Sequence, residues 1–211
     1  DGTSANNILF TGLASSPVAG SWRNVRITST SQNSSVSRTR FKYGGGFTAN
    51  IASERRALFS VIDNSITISN SIFENSASAG ARLAISNSTI QNNTFSVGTT
   101  TGDNVGLYIV GGAPAVSGNT LSENYFGSKA EGAAVSYANN ILNNNISYAL
   151  YSSNGSSTFS GNSGAGNGKN GIALLGTISA AGGTTTLASN SLPYITTSLD
   201  YAQISAGSVL I

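Results

Sequence analysis

The amino-acid sequence predicts an all-β solenoid of stacked parallel coils, and three observations lead there. One short plan recurs along the 211 residues: apolar residues bracketing small or polar ones, usually Asn. It stands as Ile90-Gln91-Asn92-Asn93-Thr94-Phe95, Val116-Ser117-Gly118-Asn119-Thr120-Leu121, Ile141-Leu142-Asn143-Asn144-Asn145-Ile146 and Leu187-Ala188-Ser189-Asn190-Ser191-Leu192, with a degraded copy at Phe159-Ser160-Gly161-Asn162-Ser163-Gly164. The starts lie about 18 to 32 residues apart, the window of a stacked repeat rather than of an ordinary globular topology. A second apolar strand follows most copies. Finally, Ser, Thr and Asn make up roughly two fifths of the chain while charged residues are 9%, against about a quarter in ordinary domains, so neutral hydrogen-bonding groups cover the surface.

Taken in order, Asn7-Ile8-Leu9-Phe10-Thr11-Gly12 is a short apolar run closed by Gly, as expected of a buried strand. Trp22-Arg23-Asn24-Val25-Arg26-Ile27 alternates, and Val25 with Ile27 is the face expected to look inward. Val36-Ser37-Arg38-Thr39-Arg40-Phe41 and Ile68-Ser69-Asn70-Ser71-Ile72-Phe73 keep the apolar ends of the repeat but carry Thr or Ser in place of Asn. Gly44-Gly45-Gly46 allows a sharp corner. Ala57-Leu58-Phe59-Ser60-Val61-Ile62 fits either a helical turn or a strand. From Ile66 the repeat is steady, with second strands at Ala81–Ile85, Gly106–Val110, Gly132–Val135, Tyr148–Tyr151 and Gly171–Leu175, giving two strands per repeat and about seven or eight coils.

Asn at equivalent places in successive coils has a physical reason. Parallel strands stack about 4.8 Å apart, so an amide can donate to the coil on one side and accept from the other. Asn93, Asn119, Asn144, Asn162 and Asn190 are the members such a ladder is expected to use.

These features resemble the right-handed parallel β-helix proteins of the pectate-lyase-like superfamily, and within it extracellular proteins with generic parallel β-helix repeats. The resemblance covers residues 66–192 best. Asp1-Gly2-Thr3, Asn7–Thr11 and Gly20–Ile27 resemble the opening coils of large bacterial surface proteins of this class, and Pro193-Tyr194-Ile195 with Ile204–Ile211 resembles the lead-in to a following β-helix. The division expected is therefore a β-helix over 1–192, with 193–211 a lead-in or terminal cap, the whole being cut from a longer array with further modules. The resemblance implies an extracellular or cell-surface setting, with glycans or surface proteins as partners.

The residues speak against most chemistry. His and Cys are absent, which removes the commonest general base and any thiolate metal site. The eight acids form no adjacent pair. Glu74 and Glu123 each follow a repeat segment and are expected to stack near one another, and Arg82 with Glu74 is the one Arg–acid pair available for lyase-style chemistry. These three are the only catalytic candidates, and solvated carboxylates are the competing reading. Asp103, beside Asn104 in a Gly-containing loop, is the candidate for a hard-oxygen Ca2+ ligand, and no other cofactor is expected. Tyr108, Tyr125, Tyr148 and Tyr151 are candidates for a platform that stacks sugar rings, packing within the fold being the alternative. The net charge of +2, with the basic residues mostly in the first half, lacks the dense basic-aromatic patch of a nucleic-acid binder. No apolar run approaches the about 20 residues of a membrane helix. A non-catalytic structural or adhesive β-helix module is thus the first functional expectation, and a glycan-active domain (a binder, lyase or hydrolase) the second.

Overall fold

A computed structural model describes residues 2–3, 7–31, 34–47, 56–178, 184–185, 187–196, 202–204 and 209–210. The chain winds as a parallel β-solenoid of about six turns. The first turn supplies β1 (Ile8–Phe10) and β2 (Val25–Ile27), and the next β3 (Ser35–Ser37), β4 (Thr39–Lys42) and β5 (Ala57–Ile62). Then come β6 (Thr67–Ser69), β7 (Ile72–Glu74) and β8 (Ala79–Ala84); β9 (Thr89–Gln91), β10 (Thr94–Ser96) and β11 (Val105–Val110); β12 (Ala115–Ser117), β13 (Thr120–Ser122) and β14 (Phe126–Glu131); and β15 (Ser136–Ala138), β16 (Ile141–Asn143) and β17 (Tyr148–Ser153). β18 (Thr158–Ser160) and β19 (Lys169–Ile178) follow, then β20 (Thr184–Thr185), β21 (Tyr194–Ile195), β22 (Ala202–Ile204) and β23 (Val209–Leu210).

Each full coil therefore carries three strands rather than two, and about six turns replace the seven or eight expected. The repeat segment is not one strand with a polar middle. It is two three-residue strands meeting at a corner, as where β9 and β10 flank Asn92 and Asn93. Three parallel sheets result: sheet 1 (β1-β4-β7-β10-β13-β16), sheet 2 (β2-β5-β8-β11-β14-β17-β19-β21, with β22 also on β19) and sheet 3 (β3-β6-β9-β12-β15-β18), while β20 and β23 pair separately. Ala57–Ile62 is a strand of sheet 2, and Tyr194–Ile195 continues the same sheet against β19.

Corners begin where a residue takes the left-handed conformation: Asn70 and Asn92 between sheets 3 and 1, Asn75 and Asn144 between sheets 1 and 2, Asp63 and Asn154 between sheets 2 and 3. Asn and Asp tolerate this region because their short side chains bond locally. The residue after the sheet 3–1 corner turns inward and forms the amide ladder. Thr39 N donates to Ser71 Oγ and Ser71 N to Asn93 Oδ1, after which Asn93, Asn119, Asn140, Asn162 and Asn190 each present Oδ1 to the backbone N–H of the member before, at 2.9–3.1 Å. Asn119 is typical: its Nδ2 donates to Asn140 Oδ1 at 3.0 Å and to Ile90 O at 2.9 Å. Asn144 is not a member. It is exposed at a corner with φ 53°, and Asn140 holds the ladder position. The segment 141–146 spans a different corner from the other copies, where Asn124, Asn145 and Asn167 build a second, shorter ladder with Nδ2 to Oδ1 distances of 3.0 and 2.8 Å.

Stacked apolar rows fill the interior. Sheet 1 contributes Phe10, Phe41, Phe73 and Phe95 in register, with ring centroids 4.8–5.1 Å apart and planes within 10°, continued by Leu121 and Leu142. Sheet 3 contributes Val36, Ile68, Ile90, Val116, Tyr137 and Phe159. Val25 and Ile27 pack against this core, as their alternation indicates. Where Tyr137 enters the row, sheet 2 carries the small Ser128 between Leu107 and Leu150, and the phenol lies 2.9 Å from Ser128 Oγ. Burial pushes the Tyr137 phenol far above its ordinary pKa, so it stays neutral.

Candidate functional site

The outer face of sheet 2 brings charged and aromatic side chains together. In β8, β11, β14 and β17 a small residue, Gly80, Gly106, Gly127 or Ala149, turns toward the interior, where a larger side chain would meet the neighbouring coil: a Cβ on Gly106 would lie 2.6 Å from Gly127 O. Two residues later the side chain points outward. Strict cross-coil register then aligns Arg82, Tyr108, Lys129 and Tyr151 in one row along the axis. Cation and ring alternate. The Arg82 guanidinium sits 4.2 Å from the Tyr108 ring centre, and Lys129 Nζ lies 5.2 Å from Tyr108 and 5.5 Å from Tyr151.

Beside this row run Phe126 and Tyr148, stacked at 6.0 Å and 4°, with Lys169 Nζ donating to Tyr148 Oη at 2.9 Å. Glu131 closes the other side: it pairs with Lys129 at 2.8 Å and accepts from Tyr108 Oη at 2.5 Å. Burial alone would raise the Glu131 pKa, but the bonds from Lys129 and Tyr108 and the charge of Lys129 outweigh it and hold the carboxyl below its usual range. Burial lowers Lys129, but the Glu131 bond and the charges of Tyr108, Glu131 and Tyr151 together outweigh it, so its pKa stands above the usual value. Burial and the Glu131 bond raise Tyr108, with Lys129 opposing.

At one end of the row the segment 98–104, inserted between β10 and β11, rises over the sheet. Asn104 anchors it: its Oδ1 accepts from Thr100 Oγ1 and Thr101 N at 2.9 Å, and its Nδ2 donates to Ser76 O at 2.8 Å. Between this segment and the sheet lies a pit of about 170 Å3 lined by Arg56, Arg82, Asp103, Tyr108 and Lys129 among others.

Only part of the residue set expected from sequence converges. Glu74 lies on sheet 1 and pairs with Arg40, at 2.7 and 2.8 Å, so the Arg82–Glu74 pair does not form. Glu123 occupies a left-handed corner two coils from Glu74, roughly 10 Å along the axis by strand spacing, and its carboxylate meets Ser96 Oγ at 3.4 Å. Arg82 and Asp103 do share the pit, where Asp103 faces cations. Among the described residues no three His, Cys, Asp or Glu come together as a metal site. Of the tyrosines, Tyr108 and Tyr151 are half-exposed in the row, Tyr125 is half-buried and tilted against Phe126 at 5.2 Å, and Tyr148 is buried, its ring covered by Phe126 and Tyr151. Arg56, Lys129 and Glu131 did not stand out in the sequence. The signal that would have found Lys129 is its place two residues after a small one, shared with Arg82, Tyr108 and Tyr151.

Family models, curated proteins and solved structures yield no match to the chain.

Proposed function

We propose that this chain is a non-catalytic structural and adhesive module of an extracellular or cell-surface protein, its adhesive surface being the outer face of sheet 2. The observation that carries the reading is the in-register row Arg82, Tyr108, Lys129, Tyr151. Half-exposed Tyr108, Lys129 and Tyr151, next to the buried Arg82, present rings and charge in alternation at a spacing of about 4.8 Å, set by the backbone rather than by flexible loops. The amide ladders support the structural half of the reading. They tie each coil to the next through side chains as well as through strands, which suits a body that must hold its length under load. Glycans and surface proteins are the partners, and the surface rich in Ser, Thr and Asn is consistent with an extracellular setting.

A glycan-active role is the second reading, favoured by the pit beside the row, whose lining includes both Asp103 and Arg82. One experiment separates the two. The purified chain is passed over immobilised neutral and acidic polysaccharides, and both retention and the release of reducing or unsaturated ends are measured. Retention without release, weakened at least about tenfold by Tyr108→Ala or Tyr151→Ala, is the expected outcome. Release of products would overturn the non-catalytic reading and direct attention to Asp103 and Glu131, since Glu74 is already bound to Arg40.

A further inference from the structure

The pit under the 98–104 segment has a property that the rest of the described surface lacks. Arg82 is 93% buried, being 7% exposed, yet among the described residues its Nε has no hydrogen-bond partner, and the buried Nε of Arg56 has none either. Leaving a buried N–H of a charged group unpaired is costly, and such groups in folded proteins ordinarily have a partner. Both arginines line the same pit, together with Lys129. Each guanidinium is held by an aromatic face, Arg56 over Phe47 at 4.5 Å and Arg82 over Tyr108 at 4.2 Å, which fixes the plane of the fork. The one carboxylate on the lining, Asp103, makes no ion pair with either arginine. Of the three cations on the lining, Lys129 is paired with Glu131 at 2.8 Å, so Arg56 and Arg82 are the two without an ion pair among the described residues.

We infer that the pit is a binding site for a single oxyanion group, a carboxylate, sulfate or phosphate carried by a ligand, received by the guanidinium groups of Arg56 and Arg82 beside the Lys129–Glu131 pair. Guanidinium forks match the two oxygens of such a group in a planar, paired geometry. The volume of about 170 Å3 sets the size of what enters. It is well under the about 300–1,000 Å3 of a pocket for a whole small molecule, so the pit takes one charged substituent while the remainder of the ligand lies outside. Asp103, on the rim, acts against the anion and limits the affinity. This assignment goes beyond the adhesive reading and stands apart from it, because a small anion can occupy the pit whether or not a polysaccharide lies along the sheet.

The test follows the Nε–Hε signals of Arg56 and Arg82 by nuclear magnetic resonance in the full chain. Sodium sulfate, sodium phosphate and sodium glucuronate are titrated separately, with sodium chloride at equal ionic strength as reference. A saturable shift of both signals with at least one probe is expected. Arg82→Lys keeps the charge but removes the Nε–H, and should weaken binding at least about tenfold. Asp103→Asn removes the opposing charge at an exposed position and should tighten it about threefold. Response to sulfate and phosphate alone assigns a tetrahedral group, and response to glucuronate alone a carboxylate. Shifts no greater than those with chloride, or binding by Arg82→Lys equal to that of the unaltered chain, would overturn the assignment. Should Arg82→Lys fail to fold by circular dichroism, the half-buried Arg56→Lys replaces it with the same expected loss. Anion binding without glycan retention would leave the pit standing and remove the adhesive reading.

Discussion

At the residue scale, two asparagines from the same repeat vocabulary have opposite roles. Asn119 Oδ1 accepts from both Asn93 N and Asn93 Nδ2, while its own Nδ2 serves Ile90 O and Asn140 Oδ1. Asn119→Leu would take the acceptor from two buried N–H groups of Asn93 and the side-chain donor from Ile90 O, while Asn140 Oδ1 keeps the Asn119 backbone N–H. At about 1–3 kcal/mol per group, partly relieved by relaxation, the expected loss is about 3 kcal/mol, a melt lowered by roughly 10 °C. Asn144→Gly is the contrast: the position is exposed and left-handed, so thermal melting should move by no more than about 2 °C. A second residue-scale expectation concerns Glu131. Its folded pKa is depressed, so the stability it contributes is present above its unfolded pKa and lost as the pH falls through the folded one. Glu131→Gln should therefore flatten the acid limb of a pH–stability curve below about pH 4.3, the ordinary Glu value, by a small amount since the carboxylate is partly solvated. On the alkaline side, Lys129 and Tyr108 both hold their protons longer when folded, so their contribution fades as the pH rises past the ordinary Tyr and Lys values near 10.

At the element scale, sheet 2 depends on a column of small residues. Gly106 has Gly127 O 2.6 Å and Asn124 Nδ2 3.0 Å from where a Cβ would stand, so Gly106→Ala must displace both the next strand and the second amide ladder. The cost expected for such overpacking is about 1–3 kcal/mol, read as a lower denaturation midpoint with unchanged slope. A weaker glycan retention in the same variant would show that the register of Tyr108 over Lys129 matters to binding. The three-residue strands of sheets 1 and 3 were hidden in the sequence for a related reason. Each contributes one inward residue, such as Phe95 or Ile90, and a single apolar residue on either side of a corner has the same pattern as the two ends of one longer strand.

At the scale of the whole molecule, stability in a solenoid is a sum of coils and the interfaces between them, so opening should start where a coil has one neighbour. Among the described strands β1 pairs only with β4, and Ile8, Leu9 and Phe10 are all exposed although Phe10 stacks on Phe41. Hydrogen exchange should therefore be faster for the amides of β1 and β2 than for those of β9 to β16, by on the order of a hundredfold. Uniform protection would mean instead that the chain unfolds as one cooperative unit.

The recurring apolar and Asn positions by themselves determined the class of fold, because parallel coils place like residues over like and only residues that gain from self-stacking, Phe on Phe and amide on amide, can recur there. That Thr39 and Ser71 replace Asn at the head of the ladder was legible on the same ground. What the tertiary structure alone decided is which Asn of each run turns inward, since Asn92 and Asn93, or Asn144 and Asn145, differ only in backbone conformation. It also decided which charges meet. Glu74 went to Arg40, and Arg82 to Tyr108 and the pit shared with Arg56 and Asp103, because contacts across coils depend on register summed over unequal loops, which no local pattern records.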